Sequence, residues 1–411
     1  MSQNSSNKKP ITMMTIVLMT VIAMDILRSI TLSAQCGYSL IFYFLSAGLL
    51  FLIPSALVSA ELSSSLPRAG GLYIWIKEAF GADLAVFMIW LQWLYNICWY
   101  PTILAFLAVS IIYPYASELT NNSYYIFCTV VLVYWLITYI SMQGIETSAS
   151  FGRITAVFGT LLPLLVISGL GIYWLMLGNK PVIDFSYQAI LPDVEISNNW
   201  IFLSTIVYSL LGIEITAYHA QDIKNPQRNF PKALLLASVI ILTVIISTSL
   251  AVAVVIPEDV LRAGLISGMF YACKVFFADL QMDYLFPVIC TLIAFGSMGT
   301  VGMWLIGPSK GLLVAAEEGH LPKFFAKKNK HGVQKNILIC QGIIFSAICL
   351  LYLLMPSVTS AYFVLSILTA QLALFGYIFI FLAALKLRKT QPNLVRPFRI
   401  PGGTIGLYLT D

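Results

Sequence analysis

Charge is scarce in this sequence. Asp, Glu, Lys and Arg make up 10% of its 411 residues, against a hydrophobic share of 59% and a mean hydropathy of +0.88. A soluble domain carries about 25% charge, so this chain cannot cover a water-facing surface and needs lipid as its outer solvent. The alternation of apolar and polar residues that a membrane β-barrel requires is missing as well. Histidine is rare: His219, His320 and His331 are the only three, and none is helix-spaced with another, so no metal-ligand cluster is visible. No GxSxG turn or Walker-type loop stands out. These absences argue against an enzyme, and no cofactor is expected. The seven cysteines, Cys36, Cys98, Cys128, Cys273, Cys290, Cys340 and Cys349, have no CxxC or zinc-like spacing. Most sit in apolar runs and read as small buried hydrophobes. The net charge of +5 is too small and scattered for nucleic acid. There is no solenoid-length repeat, no low-complexity linker and no cleavable signal, because the apolar run after the polar tail 1–10 is too long.

What is present is a series of apolar runs, each near the 20 residues that a bilayer core needs. Ten segments qualify, near 11–35, 38–62, 83–113, 124–142, 153–178, 199–220, 231–256, 284–315, 336–356 and 360–387. The expected fold class is therefore an all-α integral membrane protein. Its core is expected over 11–390, with a tail or the start of a further helix over 391–411. Of the 23 Lys and Arg residues, Lys180, Arg262 and Lys274 fall on one side and Arg28 lies inside a segment. All the others fall on the side of the N-terminus. Positive residues accumulate in the cytoplasm, so the N-terminus is expected to be cytoplasmic. The basic run ending residues 312–335 reads as an anchor of the same kind.

Charges within the apolar segments are the exceptions that need a reason, because each costs about 2.5–3.5 kcal/mol at a helix centre on insertion scales. Asp25 and Arg28 lie in the first segment, spaced to face each other on one helix, and either a structural pair or a functional site fits them. Glu214, in the sixth, has no opposite charge within its segment. Both segments also lose helix-forming regularity mid-way, through Arg28-Ser29-Ile30-Thr31-Leu32-Ser33 in one and Tyr208-Ser209-Leu210-Leu211-Gly212-Ile213-Glu214 in the other. Interruptions in corresponding segments of a five-plus-five arrangement point to a transport site. Candidate substrate-binding residues are therefore Arg28, Ser29, Ile30, Thr31, Tyr208, Ser209, Gly212, Ile213 and Glu214. Tyr95 belongs with them from the aromatic-rich third segment, and Trp304 from the eighth. Glu214, Asp25 and His219 are candidate gating or proton-linked residues, since an unperturbed His titrates near pH 6.5. Asp222, Lys224 and Arg228 suggest an ion-pair network nearby.

Four stretches carry a resemblance. They are Pro67-Arg68-Ala69-Gly70-Gly71-Leu72-Tyr73 with Trp75 to Gly81; Gly212-Ile213-Glu214 with His219 and Lys224-Asn225-Pro226-Gln227-Arg228; Gly307-Pro308-Ser309-Lys310-Gly311 running to Glu318-Gly319-His320-Leu321-Pro322; and Arg396-Pro397-Phe398-Arg399-Ile400-Pro401. In this order the chain resembles the amino acid–polyamine–organocation transporter superfamily, nearest to its bacterial glutamate/GABA antiporter branch. The resemblance implies a LeuT-like fold of inverted repeats (about 11–178 and 199–387), with discontinuous first and sixth helices and alternating access around them. It implies a gating role for Glu214, a place near the substrate path for Trp304, and a ring over the bound amino acid for Tyr208. The chain departs from the family at Arg28, where relatives have a small or aromatic residue, and it lacks the glycine-rich stretch many relatives have there. The family usually has twelve spans, and this chain stops where an eleventh would begin.

The expected function is exchange of amino acids or their decarboxylated products by alternating access. A proton- or sodium-coupled symporter of the same fold is the alternative, and a non-transporting scaffold or receptor a remote one. The expected partners are a small amino acid and membrane lipid, in a bacterial inner membrane.

Overall fold

In lipid every backbone N–H and C=O must be satisfied within the protein, and an apolar run meets that demand as a helix. The computed structural model describes residues 12–24, 26–68, 70–192, 196–223 and 225–402, with the side chains of 145–149, 196–201, 219–222 and 263 outside the description. Eight of its helices are continuous and apolar enough to cross a bilayer. In chain order they are α3 (Gly37–Ser65), α5 (Ala82–Ile112), α6 (Ser123–Met142), α7 (Ser150–Met176), α9 (Pro226–Val255), α10 (Phe286–Glu317), α11 (Lys335–Leu354) and α12 (Val358–Thr390). Before α3 come α1 (Met13–Ala23) and α2 (Ile26–Ala34), bent by 49° across their junction. Between α3 and α5 lies the short helix α4 (Leu72–Phe80). Between α7 and α9, α8 (Ile196–Ser209) ends in coil and a 3-10 helix follows over Ile213–Asp222. The protein is thus a multi-pass membrane protein of α-helices. The two segments that are not continuous helices are the first and the sixth.

Proline explains the irregular turns inside the long helices. Its ring clashes with the carbonyl four residues back and it donates no hydrogen bond. A π-turn over Gly48–Leu52 precedes Pro54 in α3, and another over Thr155–Leu161 precedes Pro163 in α7. Such a turn gives the displaced carbonyls room.

The surface is apolar like the core, unlike that of a soluble protein. Large apolar side chains such as Leu50, Leu132, Leu165 and Phe375 are exposed on the outside, while Arg28, Glu61 and Glu214 are buried. Helices α5 and α10 are the most enclosed and pack together, with α4, α6, α11 and α12 around α5. On the other side α9 packs on α1, α2, α3 and α7, and α3 packs on the 3-10 helix. Helices α7 and α10 touch backbone to backbone: a Cβ on Gly159 would lie 2.3 Å from the Gly296 nitrogen. Small residues allow this approach where no hydrophobic effect drives helices together. The cysteines divide: Cys98, Cys273, Cys290 and Cys349 are buried, Cys36 and Cys340 are half-buried, and Cys128 is exposed on the outside of α6.

Candidate functional site

The two interrupted segments meet at their breaks. Helix α1 packs with the 3-10 helix and α2 packs with α8, so the segments lie alongside each other with their interruptions adjacent. Ending α1 at Ala23 leaves a carbonyl with no partner in its own helix, and the Trp304 indole N–H donates to it at 2.6 Å. Gly212 sits in the second break at φ +114°, a conformation that L side chains avoid. A Cβ there would lie 2.9 Å from the Ala23 carbonyl oxygen and 2.9 Å from the Trp304 ring. One tryptophan and one glycine therefore lock the breaks together.

Glu214 follows immediately, in the first turn of the 3-10 helix, and is 3% exposed. The Tyr377 hydroxyl, from the middle of α12, donates to the Glu214 carboxylate and accepts from the Gly212 N–H at 2.8 Å. One hydroxyl thus satisfies both the backbone freed by the break and the buried acid behind it. A turn further on, the Tyr218 hydroxyl donates to the Gln92 side-chain oxygen, fixing the 3-10 helix to α5.

Two small cavities flank this centre. One, of about 10 Å3, is lined by Ala23, Tyr95, Trp99, Tyr208, Leu211 and Trp304. The other, of about 20 Å3, is lined by Glu214, Gln92, Tyr95, Tyr377 and the aliphatic side chains of α4, α5 and α12 around Gly376. Each has room for about one water molecule, so both are closed to an amino acid. Tyr95 borders both cavities and stands edge-on to Trp304, with ring centroids 5.5 Å apart. Trp99, one turn along α5, also packs against Trp304, with ring centroids 5.7 Å apart.

The expected residues fall in several places. Tyr95, Tyr208 and Trp304 line the aromatic cavity, Glu214 lines the other, and Gly212 forms the break between them. Ser209 and Ile213 flank that break, both fully buried. The first interruption does not fall at Arg28–Ser33, as expected from serine and threonine content. It lies a turn earlier, after Ala23, and residues 26–34 are continuous helix. The Ser29 hydroxyl bonds back to the Ile26 carbonyl at 2.8 Å, which a helix tolerates. Ile30 is core, and the Thr31 hydroxyl accepts the Met269 N–H at 3.0 Å. Ser29, Ile30 and Thr31 line neither cavity. Arg28 is 1% exposed and reaches α12. It donates to the Tyr362 hydroxyl at 2.9 Å and the Ser366 hydroxyl at 3.4 Å, and lies 5.2 Å from the centroid of the Tyr208 ring. It thus braces the ring that lines the aromatic cavity. Asp25, Lys224 and the side chains of His219 and Asp222 lie outside the described residues.

The chain matches the amino acid permease family over residues 11–410. It belongs to that family. Over 403 residues it is 41% identical to an uncharacterised transporter of Legionella pneumophila, covering 98% of this chain and 86% of that one. It is 28% identical over 372 residues to the glutamate/γ-aminobutyrate antiporter of Lactococcus lactis, covering 89% and 74%. It is 26% identical over 380 residues to a probable agmatine/putrescine antiporter of the same species, covering 92% and 79%. The permease is a transporter of small molecules and not an enzyme. The family resemblance carried by its four sequence stretches stands, as does the all-α membrane fold class.

Those stretches mostly lie away from the cavities, around the face where α3, α10 and α12 end. Gly71 abuts the Tyr218 ring. Helix α4 is fixed to the end of α10 by Glu318, which accepts from the Tyr73 hydroxyl at 2.5 Å and the Lys77 ammonium at 2.7 Å. Burial pushes the Glu318 carboxyl up, but the hydrogen bonds from Lys77 and Tyr73 outweigh it and hold its pKa below the usual 4.5. Burial, followed by the bond to Glu318, pushes the Tyr73 hydroxyl up. A carboxyl with a lowered folded pKa stabilises the fold above its ordinary pKa and loses that contribution as pH falls through the folded value. The α4–α10 contact is therefore expected to be unchanged from pH 8 down to about 5. Melting curves of Glu318→Gln and the parent, taken across pH, should differ by a constant amount in that range and converge below the ordinary carboxyl pKa. A difference that vanishes near pH 7 would contradict this.

Proposed function

We propose that the permease exchanges amino acids, or an amino acid for its decarboxylated amine, by alternating access across a bacterial inner membrane with its N-terminus in the cytoplasm. The single observation that carries this reading is the meeting of two interrupted helices at an aromatic-lined cavity, with a buried carboxylate directly behind it. Helix N-termini carry partial positive charge and C-termini partial negative charge. At this centre α2 and the 3-10 helix begin while α1 and α8 end, so a zwitterion finds donors for its carboxylate and carbonyls for its ammonium within one small space. Glu214 then meets the ammonium, or holds a proton in its absence. The rings of Tyr95, Tyr208 and Trp304 cover the ligand on either side. The positive residues gathered around the ends of α3, α10 and α12 support a cytoplasmic placement of that face.

The antiporters above are named for glutamate and γ-aminobutyrate and for agmatine and putrescine, and a carboxylate beside an aromatic cage suits the ammonium that all four carry. The test is reconstitution into liposomes loaded with a pool of unlabelled amino acids. Uptake of labelled amino acid that requires an internal partner and no ion gradient supports exchange. Uptake into empty vesicles that requires a sodium or proton gradient would replace exchange with symport.

A further inference from the structure

A second buried carboxylate, Glu61, lines neither cavity. It lies one turn before the end of α3 and is 2% exposed. Both of its oxygens are occupied. Arg388, in the last turn of α12, donates from Nε to Oε1 at 2.8 Å and from Nη2 to Oε2. The backbone N–H of Ile400 donates to Oε2 at 2.8 Å, and Arg396 Nε stands 3.4 Å from Oε1. Arg396 also donates to the carbonyls of Leu387 and Gln391, at 2.9 and 3.0 Å, closing the end of α12. The segment after α12 therefore folds back and returns a backbone N–H to α3, with the Ile400 side chain buried in the core.

The place of this cluster in the packing gives it a role. Helix α3 packs on α9 and the 3-10 helix, so it belongs with the interrupted segments. Helix α12 packs most heavily on α5 and α4 and only lightly on α3, so it sides with the group opposite the interrupted segments. Glu61 is thus a charged contact across the boundary that alternating access has to open. A buried carboxylate cannot lose its donors unless water replaces them. The cluster therefore has two allowed states, one dry and paired, the other parted and hydrated.

We propose that Glu61, Arg388, Arg396 and the Ile400 N–H form a latch that holds the permease closed on the face bearing its C-terminal segment. It parts when the interrupted helices move away from α12 and open the cavity beside Glu214. This rests on the alternating-access reading above.

Gly376 supplies the probe, because it lines that cavity and a Cβ there meets nothing within 4 Å. In the full chain, Cys36, Cys128 and Cys340 are replaced by alanine and Gly376→Cys is added. The rate of its modification by a membrane-impermeant maleimide is then measured from the C-terminal face of sealed vesicles. Glu61→Gln and Arg396→Gln are each expected to speed labelling about fivefold or more, since weakening a closed state shifts the population towards the open one. Arg396→Gln keeps the Arg388–Glu61 fork and serves if Glu61→Gln does not fold. Labelling within about twofold of the parent in the folded variants would overturn the latch. Exchange of labelled amino acid is read in the same vesicles. A chain whose labelling responds to the latch but which never exchanges leaves the latch standing and removes the exchange reading.

Discussion

Glu214→Gln is expected to lower amino-acid exchange by about ten- to a hundredfold while leaving the protein folded, the loss corresponding to one hydrogen bond to a charged group of about 1.5–3 kcal/mol. The amide has nearly the shape of the carboxylate, and its oxygen still accepts from the Tyr377 hydroxyl, so the bridge to the Gly212 N–H survives. What disappears is the negative charge beside the cavity and its capacity to hold a proton. A charge within a membrane helix is itself costly, about 2.5–3.5 kcal/mol on insertion scales. Removing one that serves only structure should therefore weaken nothing in exchange. Stability is expected to stay level or rise as transport falls, the pattern of a residue kept for function. Rates of labelled exchange in liposomes, set beside melting midpoints in detergent, decide it. Undiminished exchange at every substrate concentration would remove Glu214 from the mechanism.

Gly212→Ala is expected to have the largest effect on the fold, destabilising it by about 3 kcal/mol or more and abolishing exchange. Two costs add. The backbone at φ +114° is one that an alanine adopts only under strain. The new methyl would also press on the Ala23 carbonyl and the Trp304 ring at 2.9 Å each, and these are the two groups joined by the indole hydrogen bond. Neither can yield freely, because one is backbone at a helix end and the other is buried against both Tyr95 and Trp99. Gly376→Ala is the matching control: it lies within helix α12 with open space at the Cβ position. Alanine there is expected to leave the melting midpoint unchanged or slightly raised. Equal midpoints for the two variants would show that the break at Gly212 is not rigid.

Much of the architecture was legible in the chain because lipid imposes a simple rule. An apolar run of about 20 residues becomes a helix whatever its neighbours are, and the long helices duly appear where the runs are. The sixth-segment break was legible for a local reason, since Gly212 is the residue that adopts a positive φ without strain. The first break lies a turn before the Ser- and Thr-rich stretch because it has no such local cause. Ser29 and Thr31 have the composition of an interruption but satisfy their hydroxyls within or beside the helix. The carbonyl freed where the helix ends at Ala23 is met by Trp304, 281 residues away in sequence. Tyr377 carries no motif in the sequence. The one signal for it was a hydroxyl in the middle of an otherwise apolar run, where burial demands a partner.

Glu61 shows the same limit. In the sequence it is one acid near the end of an apolar run, and the arginines of the last motif look like further positive anchors. Their meeting needs the chain to fold back after α12.

By itself the sequence determined that the chain lives in lipid, that it is built of helices, which family it belongs to, and that Glu214 lies at an interruption, since each of these follows from composition or from residues close together. Only the tertiary structure decided where the first helix breaks, which hydroxyl serves Glu214, and how the C-terminal segment joins α3. The reason is that a freed carbonyl or a buried carboxylate can be satisfied by any donor within reach, and distance along the chain does not say which donor that will be.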